Sequence, residues 1–76
     1  MTKEELYEKY KIQNIDRFCN GRSYIKGYAI QFGTEIPTDL EELERICLII
    51  TGDMFFETNI SIDKENNTVR YWGPVS

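Results

Sequence analysis

Chemistry in this 76-residue chain would have to come from a few groups of side chains, the first of them cationic and aromatic: Arg17, Arg22, Tyr24, Lys26 and Tyr28. Tyrosine rings interleaved with cations stack on bases and neutralise phosphates, so the segment is a candidate for holding RNA, single-stranded DNA, a nucleotide or a small phosphorylated molecule. The competing reading assigns Tyr24 and Tyr28 to the core, because they share an alternation with Ile30 and Phe32. A second group is acidic, Asp39, Glu41, Glu42 and Glu44. Four acids within six helical residues spread around the axis, no calcium-loop pattern accompanies them, and helix capping with solubility already accounts for them. They are nonetheless readable by a basic partner. Arg70 and Trp72 form a third group, of types enriched at protein-interface hot spots.

Catalysis is harder to build. The sequence has no histidine, which removes the usual general base and the commonest neutral metal ligand. Cys19 and Cys47 without histidine cannot make a structural zinc site within one protomer, and Cys47 falls on an apolar helix stripe where a thiol is inert. In a chain without an export signal both cysteines read as reduced core thiols. Gly21, Gly27 and Gly33 make no phosphate-binding loop. No catalytic residue, metal or cofactor is expected.

The net charge of −4 conceals an asymmetry. Residues 9–31 carry Lys9, Lys11, Arg17, Arg22 and Lys26 against Asp16, a balance of +4, whereas residues 32–65 carry nine acids against Arg45 and Lys64, a balance of −7. Opposed fields of this kind steer charged partners or favour self-association, although solvated charge on a small domain is the commoner cause. The longest uncharged apolar run, Ile46 to Ile50, cannot cross a bilayer, and the N-terminal MTKEELYEKY is acidic where a secretory signal is basic then apolar. The expected location is therefore cytoplasmic, away from membranes.

The clearest element is Thr38 to Gly52. Thr38 and Glu41 have capping-box spacing, Leu40, Leu43, Ile46, Cys47 and Ile50 recur at helical steps, and Gly52 suits a left-handed C-cap. Residues 48–51, apolar all round and β-branched, admit a stop near Cys47 followed by an extended segment, but the favoured reading carries the helix to about Ile50. Thr2 and Glu5 repeat the capping pattern ahead of a short helix to about residue 11, with Leu6 and Tyr10 on its docking face. Asn20-Gly21 signals a two-residue hairpin turn that sets Phe18 opposite Ser23 and Arg17 opposite Tyr24. The rival reading makes Asn14 an N-cap and residues 15–19 a helical turn closed by Gly21. A strand follows over residues 22–32, with Gly27 marking a bulge or a close backbone approach. Phe56, Thr58, Ile60 and Ile62 then alternate with polar residues, and a turn at residues 64–67 pairs Asp63 with Thr68, Ile62 with Val69 and Ile60 with Tyr71. That register turns Arg70 and Trp72 outward beside Ser61 and Asn59, with Gly73-Pro74 ending the strand.

These elements make one small α+β domain over residues 1–76, ordered helix-hairpin-helix-hairpin, with an antiparallel sheet packed on one face by the helices. Its sheet edges and exposed sheet face admit a homodimer. The expected function is a non-enzymatic protein-interaction module, a small acidic inhibitor or regulator of the kind bacteria and their mobile elements carry. Glu41, Glu42 and Glu44 would face a basic or nucleic-acid-binding protein, with Arg70 and Trp72 anchoring an adjacent pocket. The alternative is nucleic-acid or phosphorylated-ligand binding by residues 17–28.

Overall fold

Alternation along the strands decides which residues meet. In a computed structural model, which describes residues 2–20 and 24–74, the chain runs α1 (Lys3–Tyr10), β1 (Asn14–Asn20), β2 (Ile25–Gln31), α2 (Leu40–Thr51), β3 (Asn59–Asp63) and β4 (Thr68–Pro74). The result is a small α+β domain, the class the sequence implied, with two helices and a four-stranded antiparallel sheet ordered β1-β2-β4-β3. Ile15, Ile30, Val69 and Ile62 lie in one cross-strand row and Tyr28, Tyr71 and Ile60 in the next on the same face. Every one of these joins the core cluster with Leu6 and Tyr10 of α1 and Leu43, Ile46, Cys47 and Ile50 of α2. No strand residue of the opposite parity does, so both helices cover one face and the other is open.

The helix ends follow local chemistry. Thr2 caps α1 by accepting from Glu5 N, and Lys11, in a left-handed conformation, closes it. On α2 the cap is Asp39, not Thr38: its carboxylate accepts from Glu41 N at 3.0 Å, and a charged acceptor displaces a hydroxyl at the positive end of the helix. The β-branched tail stays helical through Thr51, one residue past the expected end, because Cys47 and Ile50 are buried and Gly52 adopts the left-handed cap at φ 74°. Leu40 is the exception on the apolar stripe. It occupies the first helical position, at the stripe's edge, and is 60% exposed.

The two hairpins differ in how far the sequence specifies them. Between β3 and β4 the observed pairs are Asp63 with Thr68, Ile62 with Val69 and Ile60 with Tyr71, as the alternation required. Residues 15–19 belong to a strand rather than a helical turn, but its register is not that of a two-residue turn. Asn20 pairs with Ile25, Phe18 with Gly27 and Arg17 with Tyr28; Gly21, Arg22 and Ser23, where the two-residue turn was expected, lie outside the described residues. This register sets Phe18 over the one position of β2 that lacks a side chain. A Cβ at Gly27 would collide with the Phe18 ring and with Trp72 Cβ, so this glycine marks a close approach and not a bulge. One further expectation fails ahead of β3. The chain bends at Phe56 and Glu57 before β3 begins, which makes Phe55 the inward residue, 5.0 Å from the Tyr71 ring, and leaves Phe56 95% exposed. Strand β4 has its last described residues at Gly73 and Pro74, paired with Lys26 and Ile25.

Asn67 joins this second hairpin to the chain that leaves β2. It is left-handed at φ 50°, and its Nδ2 donates to Phe32 O at 2.8 Å and Thr34 O at 2.7 Å. Phe32 N in turn donates to Asn67 O. Replacing Asn67→Ala removes both side-chain bonds and strains the turn, and is expected to cost about 2–3 kcal/mol in urea unfolding. Asn67→Gly, which accepts the conformation, is expected to cost roughly half of that.

Candidate functional site

The acids of α2 are exposed but do not form one patch. Helical geometry sends Glu41 and Glu44 to one flank, where they line a groove of about 260 Å³ with Arg45, Leu48, Met54 and Tyr71. Glu42 turns to the other flank, in a hollow of about 170 Å³ shared with Leu6, Tyr10, Arg45, Ile46 and Ile49, where it accepts from the Tyr10 hydroxyl at 3.4 Å. Among the described residues the one ion pair is Lys26 with Asp53, so no cation sits within 4 Å of Glu41 or Glu44. Met54, 78% exposed, contributes an apolar edge to the first groove. Sequence reasoning passed over Met54 and Leu48. The available signal was the run Met54-Phe55-Phe56 after a helix cap, since three consecutive apolar residues of an extended segment cannot all point inward.

Arg70 and Trp72 project from the other side of the sheet, beside Ser61 and Asn59. Arg70 is exposed and Trp72 half-buried, its Cβ against Gly27 under the Phe18 ring. Their parity is opposite to that of Val69 and Tyr71, which pack beneath α2. The acidic helix and the Trp72–Arg70 pair therefore occupy opposite faces, and the expected adjacency of the two does not exist. The carboxyl of Asp63, two rows of β3 from Asn59, is held below the usual carboxylate range by donation from Asn66 Nδ2 and the backbone N–H groups of Asn66 and Glu65.

The basic, tyrosine-rich segment is dispersed. Tyr24 sits in the loop at φ 51° and is 72% exposed, Arg17 is exposed on β1, and Arg22 lies outside the described residues. Lys26 and Tyr28 are committed internally to a residue the sequence reading did not weigh, Asp53. Lys26 Nζ lies 2.9 Å from Asp53 Oδ2, and the buried Tyr28 donates its hydroxyl to the same oxygen. The backbone carbonyl of Asp53 accepts from the Tyr71 hydroxyl at 2.7 Å. Lys26 also lies 5.9 Å from the centroid of the Tyr28 ring. The signal for Asp53 was its position directly after Gly52, where the chain leaving a helix must return over the sheet.

Among the described residues no group of three or more His, Cys, Asp or Glu is placed to hold a metal ion, and no helix is long and apolar enough to cross a membrane. Neither cysteine is in a disulfide, and they differ in setting: Cys47 is a core thiol, whereas Cys19, expected in the core, is exposed on the edge strand β1. Burial, reinforced by the charge of Glu44, pushes the Cys47 thiol from 9.0 up to about 12. Burial raises the Tyr71 phenol as well. Compared with protein-family models, with curated proteins and with solved structures, the chain matches none of them.

Two outcomes follow from the thiols. At pH 8 iodoacetamide is expected to add once to the folded protein, at Cys19, and twice after unfolding, as read by intact mass spectrometry. Above pH 9 unfolded Cys47 loses its proton while the folded thiol keeps it, so the unfolded state binds fewer protons and stability falls as pH rises. The full slope for one group is about 1.4 kcal/mol per pH unit, and Cys47→Ala is expected to flatten it in urea unfolding between pH 9 and 11.

Proposed function

We propose that the chain is a non-enzymatic interaction module, an inhibitor or regulator that docks a basic segment of a protein partner against α2. One observation carries this reading: Glu41 and Glu44, without an ion pair among the described residues, rim a groove that Arg45 also lines and that Leu48 and the exposed Met54 edge, two acids against one cation. A basic amphipathic segment supplies both complements, an apolar side chain for the groove and cations for its rim. A partner whose basic surface otherwise holds nucleic acid has the right chemistry.

Magnitudes divide the labour between the two kinds of contact. Burying a methionine side chain is worth about 1.5–3 kcal/mol, whereas each exposed ion pair adds about 0.2–1 kcal/mol. Met54 and Leu48 then account for most of the affinity, and Glu41 and Glu44 for orientation and association rate. Glu42 is a weaker participant, being turned toward Tyr10 on the other flank. Binding of nucleic acid or a phosphorylated ligand by residues 17–28 has less support, because Lys26 and Tyr28 are spent on Asp53.

The test is capture of partners from the source cell, with intact complexes identified by mass spectrometry and the kinetics then measured on the purified pair. Glu41→Lys with Glu44→Lys is expected to slow association about tenfold or more at low salt and to abolish most of its salt dependence. Met54→Ala is expected to leave association unchanged and to speed dissociation about tenfold. A partner held equally well by both variants would show that this groove is not its site.

A further inference from the structure

We infer that the partner segment docks as an added β-strand on the free edge of β3, its side chains alternating into the channel between that edge and α2. This mode rests on the α2 groove being the docking site, and specifies how it is filled. Strand β3 ends the sheet, and among the described residues its backbone has no hydrogen-bond partner beyond β4. Its helix-facing side chains, Ile60 and Ile62, pack against the core yet stay only half-buried. Helix α1 does not cover them, because it lies on the other flank of α2, across the hollow of Leu6, Tyr10 and Ile49. Two openings remain on the near flank. The groove of Glu41, Glu44 and Met54 reaches Tyr71, the cross-strand neighbour of Ile60, and a second hollow of about 290 Å³ at Ile36 and Pro37 reaches Ile62. Ile60 and Ile62 are two residues apart on one face, roughly the 6.5 Å at which an added strand presents successive side chains to that face. Main-chain bonds then supply affinity, and the two openings select side chains.

Charge singles out the occupant. Beside Ile60 the opening sets Glu41 and Glu44 against Arg45, with neither acid in an ion pair among the described residues, so it takes a lysine or arginine whose stem lies on Leu48 and Met54. Beside Ile62 the lining is Ile36 and Pro37 with one acid, Glu35, and one cation, Lys64, which suits an uncharged apolar side chain. Antiparallel to β3, the partner strand therefore carries an apolar residue two positions ahead of a cation. A second copy of β3, Asn59–Asp63, has no cation to offer and would bring its own Glu41 and Glu44 to the same channel. The opposite edge of the sheet is closed to such a strand. On β1 the helix-facing side presents Arg17, exposed between Ile15 and Cys19. A charge pointing inward on an edge strand opposes pairing, and this one also repels a basic segment.

The probe is the blocked peptide Thr-Thr-Val-Thr-Lys-Thr-Lys, titrated to about 5 mM into isotope-labelled protein and followed by amide shifts and hydrogen exchange. Shifts are expected to centre on Asn59–Asp63, with slowed exchange of the outward amides of β3. Methylating the alternate peptide nitrogens that face β3 is expected to weaken binding about tenfold, and methylating the other alternate set to leave it within about twofold. Glu41→Lys with Glu44→Lys is expected to weaken it about tenfold as well. No binding, shifts confined to α2 and Met54, or equal effects of the two methylation patterns overturns strand addition. Protection of the β3 amides in concentrated protein without peptide overturns it too, and assigns the edge to a second copy. The groove itself fails by a different result, a captured partner held equally well by the Glu41→Lys/Glu44→Lys and Met54→Ala variants. A partner that responds to those substitutions, alongside a peptide indifferent to methylation, keeps the groove and removes only the strand.

Discussion

Asp53 ties together what would otherwise be separate layers. Its carboxylate receives Lys26 and the Tyr28 hydroxyl from β2, and its carbonyl receives the Tyr71 hydroxyl from β4, one residue beyond the cap of α2. The exit of the helix is thereby fixed over the two central strands of the sheet. Hydrogen bonds to a charged group are worth about 1.5–3 kcal/mol each, but a partly buried ion pair also loses hydration, so its larger effect is on geometry. Asp53 satisfies the hydroxyl tips of both buried tyrosines, Tyr28 and Tyr71. The same contact engages Lys26 and Tyr28, half of the described members of the most suggestive cluster in the sequence, in holding the helix exit in place.

Local signals survived folding where one segment contains all the information. The Gly52 cap, the docking face of α1 and the β3–β4 register each follow from residues within about fifteen positions of one another, and each is legible. The β1–β2 register was not, because it places the Phe18 ring where the neighbouring strand leaves room for it. That depends on Gly27 of the neighbouring strand and on Trp72, which arrives from the far end of the chain. Phe55 and Phe56 exchanged places for a related reason. Alternation fixes parity only inside a strand, and the bend before Asn59 shifts the phase by one residue. Side-chain type identified the acids of α2 and the Trp72–Arg70 pair as surface candidates, yet that they belong to opposite faces is a property of the assembled sheet.

Charge is also organised by layer more than by segment. The basic first half and acidic second half of the sequence do not become two poles, since Lys26 is neutralised by Asp53 across them. What remains is an acidic outer helix and, on the other side of the sheet, a face carrying Asp16, Asp63 and Arg70. The two surfaces lie on opposite sides of the sheet and differ in charge, so neither can be read from the net charge of a sequence segment.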